Sequence, residues 1–253
     1  MTGSKMHFVI LCGVIVGLVI SAHAQSSATK SSTPIQTKSE QLGAATAVAN
    51  ADDSTIDLTD FYGKASGTEG DDWFSHPDWK IVPKGLQTFD GIVFDVSGTL
   101  LLRSINMPQL KEAVRGIPIN KRCRYIHLLH GLGYGDKDGV TIAVMEIHYA
   151  NGEKREMPII LGVHVRNWWK EKGETISTVS DPLSGVAWSG QGTYPPPERA
   201  SVRLFRSTFE NPLPDQPIAH IDFVSRNTGA IPCIVSMSVG NQKPATKVEQ
   251  DKP

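Results

Sequence analysis

GIVFDVSGTLLL, residues 91–102, is the stretch whose reading decides the fold class. In one reading it is the nucleophile strand of a phosphatase: an apolar strand ending in Asp-x-Asp-Gly-Thr-Leu, whose first Asp attacks phosphorus and whose second protonates the leaving group. In the other it is an ordinary β-strand that turns on Gly98. The chain has Ser97 where the second Asp belongs, and a serine near neutral pH cannot stand in for a carboxylic acid. A phosphatase strand also has to be followed by helical crossovers of a dozen or more residues so that a parallel sheet can form.

Beyond residue 102 the chain reads as strand and turn. Short apolar runs alternate with Gly, Pro, Asn and Asp, giving candidate strands at 92–96, 99–103, 124–129, 141–149, 154–160, 186–188, 201–209, 219–225 and 233–239. The clearest pair is Ile142–Tyr149 and Lys154–Ile160 around Asn151-Gly152, which suits a two-residue type I′ hairpin turn. Pro158 has no N–H to donate, so its strand belongs at an edge or a bulge. Helix signals are confined to 108–114, with Pro108 at its first turn, and 165–172. The expected fold is therefore all-β, an antiparallel β-sandwich with one or two short helices.

The ends of the chain have a different composition. Lys5, an apolar run from Phe8 to Ile20 and Ala22-His23-Ala24 form the pattern of a secretory signal peptide, 1–24, with cleavage after Ala24. Residues 25–55, rich in Ser, Thr, Ala, Gln and Lys, and 241–253, with Lys, Gln, Asp and Pro, read as a disordered linker and tail around a domain at 56–240. The chain is thus expected to be exported, to the periplasm or the exterior, with no membrane span after cleavage. A formal net charge of −1 gives no field to recruit nucleic acid. Cys123 and Cys233 either pair in that oxidising compartment or stay as thiols, and two buried thiols is the favoured reading.

Three polar sets invite a chemistry. His127 and His130 suggest zinc, but on a strand residues i and i+3 face opposite ways, so no metal is expected there. Asp136 and Asp138, in Gly135-Asp-Lys-Asp-Gly139, raise a structural Ca²⁺, for which two carboxylates fall short of the six to eight oxygens needed. No other cofactor is expected. Glu146, Glu210, Asp215 and Asp222 are the carboxylates a glycosidase would draw on, with Glu146 and Asp222 in strand interiors at positions that alternation allows to face solvent. No two of them can be paired from sequence. Loop aromatics remain: Arg166, Asn167, Trp168 and Trp169, then Trp188, then Glu210 and Asn211, a set of flat apolar faces beside planar hydrogen-bonding groups suited to a sugar.

The series Leu86–Val96, Gly116–His130, His148–Gly152, Val165–Trp169, Val186–Trp188, Arg203–Phe205, Glu210–Pro212 and Ile221–Ser225 resembles a poorly characterised secreted bacterial domain of galactose-binding-like, carbohydrate-binding-module-like (NPCBM-like) type. That resemblance implies a jelly-roll β-sandwich and no catalytic set. Function is therefore expected to be that of an exported, non-catalytic binding module for carbohydrate or another cell-surface ligand, a partner protein included. A structural or assembly module of the envelope and a secreted hydrolase are the alternatives.

Overall fold

The computed structural model describes residues 54–62, 76–171, 174, 178–192 and 199–245, all within one compact unit. The expected signal peptide and almost all of the linker lie outside them. The strands are β1 (Ser54–Ile56), β2 (Gly85–Phe89), β3 (Ile92–Val96), β4 (Leu100–Leu101), β5 (Ala113–Lys121), β6 (Tyr125–Gly133), β7 (Thr141–Tyr149), β8 (Lys154–Ile160), β9 (Trp169–Glu171), β10 (Ser184–Gly190), β11 (Arg199–Glu210), β12 (Ile218–Ser225) and β13 (Ile231–Gly240). They form a sheet of order β1-β13-β6-β11-β10, with β4 also on β13 and β9 on β11, a second sheet β5-β12-β7-β8 and the hairpin β2-β3. All of these strand pairings are antiparallel, so the all-β sandwich is the observed class.

Two cores make it a three-layer structure with the large sheet in the middle. On one side Ile126, Leu128, Phe205, Phe209, Met237 and Val239 of the large sheet meet Ile117, Met145, Ile147, Ile221 and Phe223 of the four-stranded sheet. On the other side Leu129, Val202, Leu204 and Val235 meet Ile92, Phe94 and Val96 of β3, together with Trp79 and Trp168. The central strand β6 is buried along its whole length, which is why it reads as a continuous apolar run rather than an alternating one. Buried Arg206 pairs with Asp90 at 3.0 Å and so ties the hairpin layer to the sheet beneath it.

Residues 91–102 are thus strand and turn. Ile92, Phe94 and Val96 face inward, while Asp95 is half-buried and accepts a hydrogen bond from Ser97. Gly98 is required by close approach: a Cβ there would lie 2.4 Å from the ring of Tyr62. The phosphatase strand is excluded, because β3 pairs antiparallel with β2 in a two-stranded sheet.

Several local expectations are corrected. The type I′ turn sits not at Asn151-Gly152 but at Asp90-Gly91, where both residues have positive φ, 51° and 83°, between partners Phe89 and Ile92. At the β7-β8 hairpin only Gly152 is left-handed, φ 87°, and Gly152 N donates to Tyr149 O. That is a three-residue loop with a glycine bulge. Pro158 does lie on an edge strand, since β8 ends its sheet. Neither expected helix forms: 108–112 is turn leading into β5, and 165–171 is a bridge followed by β9. Among the described residues the helical turns are instead 3₁₀, at Thr59–Phe61 and Pro77–Ile81. Order also extends past the expected boundaries, with Ser54 and Thr55 paired to β13, and Ala245 N donating to Asp90 O at 3.0 Å.

Candidate functional site

The four-stranded sheet turns one face to the core and the other outward. On β7 the odd residues 143, 145 and 147 go into the core, so Glu146 and His148 go out. On β12 Ile221 and Phe223 go in, leaving His220 and Asp222 on the outer side. The register places His220 opposite His148 and Asp222 opposite Glu146, which brings two sequence-distant pairs into one square. β5 adds Arg115 on one flank, and β8 adds Lys154 opposite His148 on the other. The β5-β12 register shifts between Ile221 and Phe223, and Gly116 with φ 76° sits in that irregularity, so its N–H points at Asp222 Oδ1, 2.8 Å away.

The square is densely paired. Arg115 Nη1 lies 2.9 Å from Asp222 Oδ2 and 3.4 Å from Glu146 Oε2, and Lys154 Nζ lies 2.9 Å from Glu146 Oε1. His148 Nε2 stands 3.3 Å from Asp222 Oδ2, and the rings of His148 and His220 stack with centroids 4.3 Å apart and planes 14° from parallel. Burial acts to raise the Asp222 carboxyl, but the Gly116 N–H, the Arg115 guanidinium and the two imidazoles outweigh it and hold the group below the usual carboxylate range. Burial of Glu146 is likewise outweighed, by Lys154 and Arg115. Two carboxylates against one guanidinium and one ammonium leave the face with balanced charge.

A glycosidase pair needs one carboxyl kept protonated as general acid. Both Glu146 and Asp222 are instead shifted toward the ionised form, so this pair is suited to accepting hydrogen bonds and not to donating a proton. The ligand atoms of His148, His220 and Asp222 all lie within 4.8 Å of one another, the one such group of three among the described residues.

The residues expected from sequence are dispersed. Trp168 is 1% exposed, packed in the core beneath the hairpin layer with its ring 5.5 Å from that of Trp79. Trp169 and Trp188 are partly buried against the same core, and Trp169 Nε1 donates to Asp78 at 3.0 Å. Arg166 grips Asp138 with both terminal nitrogens at 3.0 and 2.7 Å, while Asn167 Oδ1 accepts from Trp169 N. Asn211 is buried and braces a chain corner: Tyr149 donates its hydroxyl to it at 2.5 Å, and its own amide donates to Cys123 O at 2.8 Å. Glu210 is exposed at the end of β11. Arg166, Asn167, Trp168 and Trp169 therefore cluster by sequence adjacency, with their faces largely used in packing and pairing.

The other polar sets are structural. His127 and His130 are buried on opposite faces of β6, bonded to Thr208 at 2.9 Å and Ser207 at 2.8 Å, and burial pushes them down to about 4 and about 3. Asp136 accepts from Gly229 N and Lys137 N, which leaves the Asp136–Asp138 loop with both carboxylates engaged. Cys123 and Cys233 are buried thiols, and burial pushes Cys123 up to about 11.

Sequence reasoning raised Glu146 and Asp222 only as unpaired glycosidase carboxylates, and did not raise Arg115, His148 or His220 as site residues. The signal available was Glu146-x-His148 and His220-x-Asp222, two polar pairs at the spacing that shares a strand face. Compared with known proteins, the chain matches no family model and no curated protein.

Proposed function

We propose that the protein is an exported, non-catalytic binding module whose ligand-binding surface is the outer face of β5-β12-β7-β8, and that the ligand is a carbohydrate or similar neutral, hydroxyl-rich group of a cell surface. The observation that supports this reading most is the charge-balanced cluster of Arg115, Glu146, His148, Lys154, His220 and Asp222. Planar acceptors and donors fixed side by side on rigid strands suit vicinal hydroxyls, which accept from a guanidinium and donate to a carboxylate. A face with no net charge gives polyanions and polycations no advantage. The resemblance to galactose-binding-like domains and the signal-peptide pattern point the same way, toward a glycan met outside the cytoplasm.

The test is retention on a panel of insoluble and immobilised polysaccharides, followed by affinity measurement with Asp222→Asn. Binding by the wild type that falls at least tenfold in the variant, after correction for its folded fraction, is the expected result. A folded protein that retains on none of the panel would defeat the reading. The structural envelope module is the second reading, favoured by the packing of Trp168 into the core.

A further inference from the structure

We infer that His148, His220 and Asp222 form a binding site for a single divalent transition-metal ion of the zinc class. The site deepens the proposed binding face, yet it rests on observations that do not require a glycan. Three potential ligand atoms, two imidazole nitrogens and one carboxylate oxygen, lie within 4.8 Å of one another. They come from directly opposed positions of two hydrogen-bonded strands, which fixes their backbones. His148 Nε2 is sealed from solvent and makes no well-formed hydrogen bond, and its neighbours are carboxylate oxygens, Asp222 Oδ2 at 3.3 Å and Glu146 Oε2 at 3.8 Å. Unmatched buried polar atoms are costly, and a cation supplies what this one lacks.

Donor chemistry sets the class of ion. Imidazole nitrogen with carboxylate oxygen suits Zn²⁺ and its neighbours in the first transition row, whereas Ca²⁺ and Mg²⁺ take oxygen ligands in larger number. Asp222 is already held as metal-binding carboxylates are, with Oδ1 fixed by Gly116 N–H at 2.8 Å and Oδ2 facing His148 Nε2 at 3.3 Å. Three protein ligands leave a coordination position for an oxygen of water or of a bound hydroxyl.

Two adjustments accompany binding, and each makes a prediction. The stacked rings keep their in-plane lone pairs from meeting on one ion. A turn of His220, whose side chain is 40% exposed, closes the three atoms toward the roughly 3.3 Å separations of a tetrahedral zinc site. Arg115 Nη1 lies 2.9 Å from the same Asp222 Oδ2, so the guanidinium and the ion compete for one oxygen. Its side chain is 59% exposed and free to swing into solvent. Arg115 is therefore a built-in competitor, and its removal strengthens metal binding.

The experiment is calorimetric titration of the full chain with Zn²⁺, and separately with Ca²⁺ and Mg²⁺, with no polysaccharide present. The expected result is one Zn²⁺ per chain, no uptake of Ca²⁺ or Mg²⁺, at least tenfold weaker binding in His220→Ala and in His148→Ala, and tighter binding in Arg115→Ala, by about tenfold. Absence of stoichiometric Zn²⁺ uptake in both wild type and Arg115→Ala overturns the inference. So does uptake that survives both histidine substitutions, which would place the ion on other histidines. Polysaccharide retention measured in a chelator separates the two readings: retention without zinc uptake keeps the binding face and discards the metal, and zinc uptake without retention does the reverse.

Discussion

Four strand histidines occupy two regions of this molecule and meet opposite fates. His127 and His130 lie on β6, the middle strand of the middle layer, and each is matched by one hydroxyl from β11. Ser207 donates its single proton to His164 O at 2.8 Å, so it can only accept from His130, which fixes the Nε2–H tautomer. His148 and His220 lie on the outer face of the four-stranded sheet, stacked on each other, half-exposed and flanked by carboxylates. The residue type is the same, but layer position decides its use: covered on both sides, an imidazole becomes a neutral structural link, and with one side open it remains available to a ligand.

The buried region should respond most strongly to substitution. Trp168→Ala empties a site 1% exposed in the core beneath the hairpin layer and is expected to cost about 3–5 kcal/mol, measured by urea denaturation. A loss under about 1 kcal/mol would mean that this tryptophan is not the core anchor described.

The buried histidines predict a pH dependence of definite sign. Unfolded, each protonates near 6.5, whereas folded they are held down to about 4 and about 3, so between those values the unfolded state binds more protons. Their stabilisation is complete above about pH 6.5 and is lost as pH falls toward 4 for His127 and toward 3 for His130, a loss on the order of several kcal/mol in all. His130→Gln keeps an N–H donor for Ser207 and removes one titration, and denaturation at pH 7.5 and 5 should show a shallower loss than in the wild type. An unchanged slope would remove His130 from the account.

The outer face titrates in another window. Glu146 and Asp222 are depressed below the carboxylate range, so their contribution is present at neutral pH and is lost only as pH falls below about 4. Asp222→Asn should flatten the acid limb there and leave the loss between pH 6.5 and 4 in place. Smallest of all is His220→Ala, a half-exposed outer residue whose loss should change neutral-pH stability by less than about 1 kcal/mol.

The same contrast explains which elements are legible in the sequence. β8 is legible because its side chains alternate between a wet and a dry face, and the Glu146–Tyr149 end of β7 does the same, while β12 is legible from the apolar-polar order His220-Ile221-Asp222-Phe223. β5 is not, since Gly116 and Pro118 interrupt its pattern, and the end of β6 is cut short because Gly131 and Gly133 carry no side chain to count. Strand β3 is legible at 92–96, but the separate layer that its hairpin forms is not: its partners Trp79 and Trp168 are far apart in sequence, and the pair Trp168-Trp169 reads as exposed because it falls between the strands expected. The candidate site is half legible. Glu146 and Asp222 fall on outward strand positions, but the register that sets them opposite one another is a property of β7-β12 pairing, which no local pattern encodes.

The central claim is that ligand meets the outer face of the four-stranded sheet and not the tryptophan loops. Its most direct test compares two double variants on the polysaccharide that the wild type retains best: Arg115→Ala with His220→Ala, and Trp169→Ala with Trp188→Ala. The account predicts that the first loses at least tenfold in affinity, ~1.4 kcal/mol, at unchanged stability, while the second, corrected for its folded fraction, keeps wild-type affinity. Retained affinity in the first variant, with the loss confined to the second, would contradict it.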